Sequence, residues 1–545
     1  MKRRYLVSAT IALVALSALA TAGWLATGTP LLRQITGEEE LLPQVRGVGH
    51  LVSGWLRPYP RTDPNRPVAN SGMNPQCVNT FLQNEVDPAK VDRTLQLAQQ
   101  AGFGWIRQEF PWEDIEIHGK GDFEDRRNPP FRSAWEKYDR IVDLATQHDV
   151  QIIARLSNPP AWSRAEGDAA GPMAPPDDLQ DYGDFVETAV RRYRGRIRYY
   201  QIWNEPNIYP EWGNRSVSPE GYTALLHVAY TRAKAADPDV VILSAPLAPT
   251  IELTGRDLND FLFLQRMYDA GARDYFDVLS VQDYGLWSGP LDRRMRPRVL
   301  NFSRPMYIRD LMIRNGDGDK AIWVSEVGWN SSPPEVPANY GRASESLRAR
   351  YAVEAYRRAQ EEWPWMGVMC YWFLKQADDR ERDQAQYYFR LLEPDFTPLP
   401  TFDALSQAAR EPPFVGVGFH PVDHYALRYA GAWQVGADEI EPTTAKRRVG
   451  LEGAQLTFRF RGDTLDLVVR PAEGSGALQV TVDGGVPRAY AVGDASSAAG
   501  NLRIAQRLGA GEHVAEITIL RGPVTLEGLL VRRGLTNWVK TLIAP

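Results

Sequence analysis

From Val78 onwards, short apolar runs alternate with longer stretches in which apolar residues recur every three to four positions. The runs are Val78–Leu82, Gly104–Phe110, Gln151–Leu156, Ile197–Trp203, Val240–Ser244, Asp277–Val281, Ile322–Ser325 and Gly367–Trp372. Their shortness and their β-branched and aromatic content predict strands. The stretches between them carry helix signals. Asp87 before Pro88 predicts a capped start, Val91, Leu95 and Ala98 share a face, and Gly102 ends the pattern. Ser133-Ala-Trp-Glu136 has capping-box spacing and predicts a helix running to about His148. Helical patterns also follow Ser218-Pro219 and Ser344. Eight strands separated by helices predict a parallel sheet closed as an α/β (β/α)₈ barrel.

The two ends of the chain differ from this middle. Met1-Lys-Arg-Arg4 and the apolar run 5–28 have the form of an export signal, with small residues for cleavage at Ala18 to Ala22. The run is also long enough to cross a bilayer as an uncleaved anchor. The protein is therefore expected outside the cytoplasm, secreted or tethered to the outer face of the membrane through residues 5–28. Residues 29–70 are charged and Pro-rich without a sustained period, and predict a spacer. The barrel is assigned 71–411. Beyond Glu411-Pro-Pro413 the texture becomes short alternating runs such as Gln455–Phe460, Leu478–Val482 and Val514–Ile519, which predict an all-β sandwich of jelly-roll type over 415–535.

Composition narrows the function classes. The 545 residues carry a net charge of −6, with no basic stripe to bind nucleic acid. Neither HExxH, GxGxxG nor a P-loop occurs, so no metal or cofactor is expected. Sixteen Trp and 23 Tyr are abundant, and all Trp except Trp24, Trp433 and Trp538 fall between Trp55 and Trp372. Most are expected in the core. Trp112, Asn158, Trp162, Trp212, Trp287 and Trp329 fall in predicted βα loops and are candidates for ligand contacts at the barrel mouth. Cys77 and Cys370 fall on the first and last barrel strands, neighbours in a closed barrel. Two buried thiols are expected there, with a disulfide as the alternative.

Trp203-Asn204-Glu205-Pro206-Asn207 ends the fourth strand, and Glu326 lies in the seventh, Ala321 to Trp329. Both carboxylates then project at the C-terminal mouth of the barrel, where βα loops build active sites. Paired carboxylates are the minimum equipment for glycoside hydrolysis.

These motifs resemble the clan A glycoside hydrolases, most closely family 39 or family 5, over roughly residues 70–410. The resemblance implies a retaining β-glycosidase acting on a poly- or oligosaccharide, with Glu205 as acid/base, Glu326 as nucleophile and their carboxyl groups about 5–5.5 Å apart. It implies that Asn204 holds the sugar 2-hydroxyl, that Arg107 and Tyr284 hold the nucleophile, and that Trp372 is the floor beneath the sugar. Gln282-Asp283-Tyr284 departs from the His-Pro-Tyr common in relatives, which bears on the substrate. The alternatives are a transglycosylase using the same residues, or a non-catalytic surface carbohydrate-binding protein. The sandwich resembles accessory or carbohydrate-binding modules, with Tyr425, Tyr429, Trp433 and Tyr490 as its aromatic candidates. The sequence does not specify the sugar, endo or exo action, or the oligomeric state.

Overall fold

The computed structural model describes residues 30–534, apart from residues 31, 56, 437–446, 471–475, 494–499 and 510. The expected export signal or anchor lies outside the described residues, among which no helix is long and apolar enough to cross a membrane.

All eight predicted barrel strands form: β1 Gln76–Thr80, β2 Trp105–Pro111, β3 Gln151–Ser157, β4 Tyr199–Ile202, β5 Val241–Leu243, β6 Leu279–Gln282, β7 Ile322–Val327 and β8 Met366–Tyr371. They pair in parallel in the order β5-β4-β3-β2-β1-β8-β7-β6. Bridges Leu243–Val278 and Leu247–Val281 join the two ends of this sheet. The barrel therefore closes and leaves no edge unpaired.

The helix between β1 and β2, Pro88–Gln100, begins as predicted. The Asp87 carboxylate accepts the Ala89 N–H, and Val91, Leu95 and Ala98 are buried. The predicted capping box does not form. Arg132–Ser133 pairs as a short strand with Glu124–Asp125, which keeps Ser133 outside the helix. Its hydroxyl accepts from the Trp135 N–H at 3.3 Å instead, and the helix spans Glu136–Gln147.

Two further expectations are corrected. Cys77 and Cys370 are direct register partners on β1 and β8 and are joined as a disulfide, not left as two thiols. The proposed spacer contains a helix, α1, Leu41–Trp55. The segment before it is held to the barrel by Arg33–Glu354 at 3.0 Å, Glu38–Arg294 at 2.7 Å and Glu39–Arg350 at 2.6 Å, and Gln44 of α1 donates to the Glu38 carbonyl at 3.0 Å. No apolar period announced α1, because its buried positions include Gln44 and Gly47. A Cβ on Gly47 would lie 2.7 Å from the Thr36 methyl, so glycine lets the two segments approach.

Beyond the barrel, two six-stranded sheets form. Gln455–Arg461 alternates exposed and buried positions, and Leu456, Phe458 and Phe460 join Leu465, Leu467 and Ile517 in a second core. These sheets pack at the N-terminal end of the barrel. The Tyr425 N–H donates to the Gly72 carbonyl just before β1, and the Val417 N–H to Glu361, in the helix that leads into β8. The sandwich is thus at the end opposite the βα loops.

Candidate active site

Barrel register brings the site together. On β1 and β2, Asn79 and Arg107 are direct partners; on β3 and β4, Arg155 and Gln201 are. Period-two alternation then turns these polar side chains into the barrel. Arg107 is the hub. Its Nε donates to Gln201 Oε1 at 2.6 Å and one terminal nitrogen to Asn204 Oδ1 at 2.7 Å. The other terminal nitrogen donates to Asn79 Oδ1 at 3.0 Å and to Glu326 Oε1 at 2.9 Å. Only a planar guanidinium presents donors in enough directions to span four partners.

Glu326 is buried at the end of β7. Its second oxygen accepts the Tyr284 hydroxyl at 2.6 Å. Burial, and then the Glu326 charge, push the Tyr284 phenol well above its usual range, so it stays a donor. Gln201 braces the floor, donating to Ser280 Oγ at 2.9 Å and Ser325 Oγ at 2.6 Å.

After β4 the backbone turns sharply, with φ of +74° at Trp203 and +35° at Glu205. Left-handed backbone is costly for such residues and is found where a side chain must be aimed. Hydrogen bonds from Trp203 N–H to Leu156 and from Glu205 N–H to Pro246 hold the turn. Asn207 locks the next loop, its side chain donating to the Ala248 and Leu258 carbonyls and accepting the Ala248 N–H. This accounts for the second Asn of the motif.

Glu205 keeps part of its surface exposed, yet desolvation by the surrounding protein is the main force raising its carboxyl well above the usual range. The charges of Glu326 and Glu211 raise it further. Asn204 Nδ2 lies 3.5 Å from Glu205 Oε2, so one side chain links the acid to Arg107 and thence to Glu326. The two carboxyl groups thus occupy opposite environments. Glu326 accepts two donated hydrogen bonds, whereas Glu205 is desolvated beside negative charge.

The structure brings Glu205, Glu326, Asn204, Arg107 and Tyr284 into one network. Trp372 follows β8 and is half-buried, packed edge-on against Phe81 with ring centroids 5.4 Å apart. Gln282 is buried beside this site and favours the charged form of Glu205, but its Nε2 makes no hydrogen bond of ordinary geometry. Trp112, Trp212 and Trp329 are buried in the core, not in the cleft wall. Trp112, for example, stacks on Phe185 with centroids 5.4 Å apart.

Several participants were not singled out from the sequence. Asn79 and Gln201 are mid-strand amides whose role appears only with barrel register. Glu109 and Arg155 form a further ion pair at the mouth, and burial raises the nearby Glu211 carboxyl to about 7 while Arg155 opposes the shift. Among the described residues no group of three or more His, Cys, Asp or Glu is arranged to hold a metal ion.

No protein-family model and no curated protein matches this chain. Solved structures do resemble it. One is a family 39 glycoside hydrolase from the gut symbiont Bacteroides cellulosilyticus WH2, 17% identical, covering 84% of this chain and 83% of that one at a TM-score of 0.49. Another is a glucosidase from Croceicoccus marinus, 13% identical, covering 84% and 98% at a TM-score of 0.47. A third is a monomeric β-xylosidase from Caulobacter crescentus CB15, 14% identical, covering 85% and 98% at a TM-score of 0.44. At such identities the likeness is one of backbone arrangement, and the chemistry of the site rests on this chain's own side chains.

Proposed function

We propose that this protein is an exported retaining glycosidase that hydrolyses β-linked glycans by double displacement. The observation that carries the reading is the contrast between two glutamates in one buried network. Glu326 is held by Arg107 and Tyr284, while desolvation, and then the Glu326 charge, raise the Glu205 carboxyl well above its usual range.

In the first step Glu326 attacks the anomeric carbon and Glu205 gives its proton to the departing oxygen. The product is a glycosyl ester on Glu326. Esterification removes the Glu326 charge that had raised Glu205, so the newly ionised Glu205 is suited to take a proton from water. That water releases the sugar with its original configuration. In this reading Asn204, whose side-chain oxygen accepts from Arg107, holds the 2-hydroxyl, and Trp372 supports the ring. Retention calls for carboxyl groups about 5–5.5 Å apart. The apolar run 5–28 supports export, and the position of the sandwich behind the barrel favours a scaffold role over a direct part in the cleft.

The test is release of reducing ends from a panel of plant and bacterial β-glycans by wild type and Glu326→Gln. The proposal expects release by wild type alone. Equal release by both would remove Glu326 from the chemistry, and binding without release by either would favour a carbohydrate-binding protein.

A further inference from the structure

Trp287 is 70% exposed, the most exposed large aromatic side chain among the described residues. A lone exposed apolar side chain is ordinary on a protein surface; this one stands out because its loop is anchored and a second part-exposed aromatic, Tyr340, lies on the adjoining loop. The anchored loop follows β6. A Cβ on Gly285 would lie 2.3 Å from the Trp329 indole nitrogen, so only glycine can cross that buried ring. The same indole N–H donates to the Ser288 carbonyl at 2.8 Å. Between these anchors Leu286 is held at φ +52°, a strained conformation for a branched side chain.

The loop after β7 closes against this one. A Cβ on Gly341 would lie 2.2 Å from the Leu286 carbonyl oxygen and 3.2 Å from the Trp287 nitrogen. Its neighbour Tyr340 is 39% exposed. Phe389 packs between Tyr340 and Tyr284, with centroids 5.6 Å and 5.5 Å away. Tyr284 in turn bonds Glu326. A run of aromatic rings therefore leads outwards from Glu326 to the rim. Burial, and then the charges of Glu205 and Glu326, raise the Tyr340 phenol, consistent with its facing the same cleft.

We propose that Tyr340 and Trp287 form an aromatic platform on which the sugar units adjoining the cleaved ring stack, so that the substrate is an extended glycan chain and not a single sugar on a small aglycone. Sugar rings present C–H faces that pack on aromatic faces while their hydroxyls stay in water, which suits half-exposed and exposed rings at a rim. The inference rests on the glycosidase reading of the site and adds to it the length of chain recognised.

The experiment compares kcat/KM for a one-sugar aryl β-glycoside with that for oligosaccharides of increasing length from whichever β-glycan the enzyme cleaves, in wild type, Trp287→Ala, Trp287→Phe and Tyr340→Ala. The expected result is that the long-to-short ratio falls about tenfold in each Ala variant, the order of a lost stacking contact, and that Trp287→Phe keeps most of it. A ratio unchanged by both Ala substitutions, or equal losses on every substrate, overturns the platform. Binding of oligosaccharides from the same panel of plant and bacterial β-glycans to Glu326→Gln and Glu326→Gln/Trp287→Ala, measured by isothermal titration calorimetry, separates the two claims. Tight, Trp287-dependent binding without turnover by wild type sinks the glycosidase and leaves the platform; turnover with Trp287-independent binding does the reverse.

Discussion

Replacing Tyr284 by Phe removes one oxygen and one hydrogen bond, the 2.6 Å contact to Glu326. The ring packing on Phe389 can remain. A hydrogen bond to a charged acceptor is worth about 1.5–3 kcal/mol. Its effect on the two chemical steps should differ. In the proposed mechanism Glu326 attacks as a carboxylate, so the bond stabilises the ground state of attack at least as much as the transition state. In the ester the charge is gone and re-forms as Glu326 departs, so the bond helps departure directly. With about half the charge restored in that transition state, the loss is about 0.75–1.5 kcal/mol, or up to roughly tenfold in the deglycosylation rate. We therefore predict that Tyr284→Phe lowers kcat by up to about tenfold, lowers KM with it, and leaves kcat/KM much less affected. Stopped-flow kinetics should reveal a burst, and intact-protein mass spectrometry a glycosyl-enzyme that accumulates during turnover. A fall in kcat/KM as large as that in kcat, with no covalent species, would refute this account of Tyr284.

Other consequences are equally open to measurement. The proposed acid role of Glu205 requires a proton, so kcat/KM should fall as pH rises through its elevated pKa, and this alkaline limb should vanish in Glu205→Gln. That variant should lose about 10²–10⁴-fold on glycans but much less on aryl glycosides whose leaving group needs no proton; an unchanged alkaline limb would exclude Glu205 as the acid. Arg107→Lys keeps a charge near Glu326 but strands buried amide oxygens of Asn79, Gln201 and Asn204, so urea unfolding should register a loss of about 3 kcal/mol or more. A stability within 1 kcal/mol of wild type would count against the hub. At the rear of the barrel, burial lowers His420 from 6.5 to about 4 and His424 well below its usual range. Both then take up protons more readily when unfolded, so stability is fully present above pH 6.5 and is lost as pH falls towards 4, by about 3 kcal/mol for His420. Unfolding free energies of wild type and His420→Gln across that window test this; identical slopes would reject it.

Much of this architecture was legible in the sequence, and the exceptions have physical causes. The barrel strands stood out because strands covered on both faces read as continuous apolar runs, and Asp87-Pro88 marked its helix through local chemistry. Glu205 and Glu326 were legible because each ends or closes such a run. The Ser133 cap failed because tertiary pairing of Arg132–Ser133 overrode a local signal. The α1 helix was hidden because its buried positions include Gln44 and Gly47, and the segment leading into it is tied down by ion pairs to residues some 250 positions or more away. Asn79, Gln201 and Glu211 look like ordinary polar residues in one dimension; only strand register and the turn at Trp203 to Glu205 bring them to the site. Among the tryptophans, composition alone could not separate buried Trp112 from exposed Trp287, since the same side chain occurs both in cores and on surfaces.

The most direct test of the central claim is covalent trapping. An activated 2-deoxy-2-fluoro β-glycoside of the cleaved sugar slows both steps but, with its good leaving group, lets the first proceed. Incubation followed by proteolysis and tandem mass spectrometry should find the sugar on the peptide containing Glu326, with Glu205 unlabelled and activity lost in proportion. Label on Glu205, or continued turnover of the natural glycan with inversion and no label at all, would contradict the assignment of Glu326 as nucleophile and with it the double-displacement mechanism.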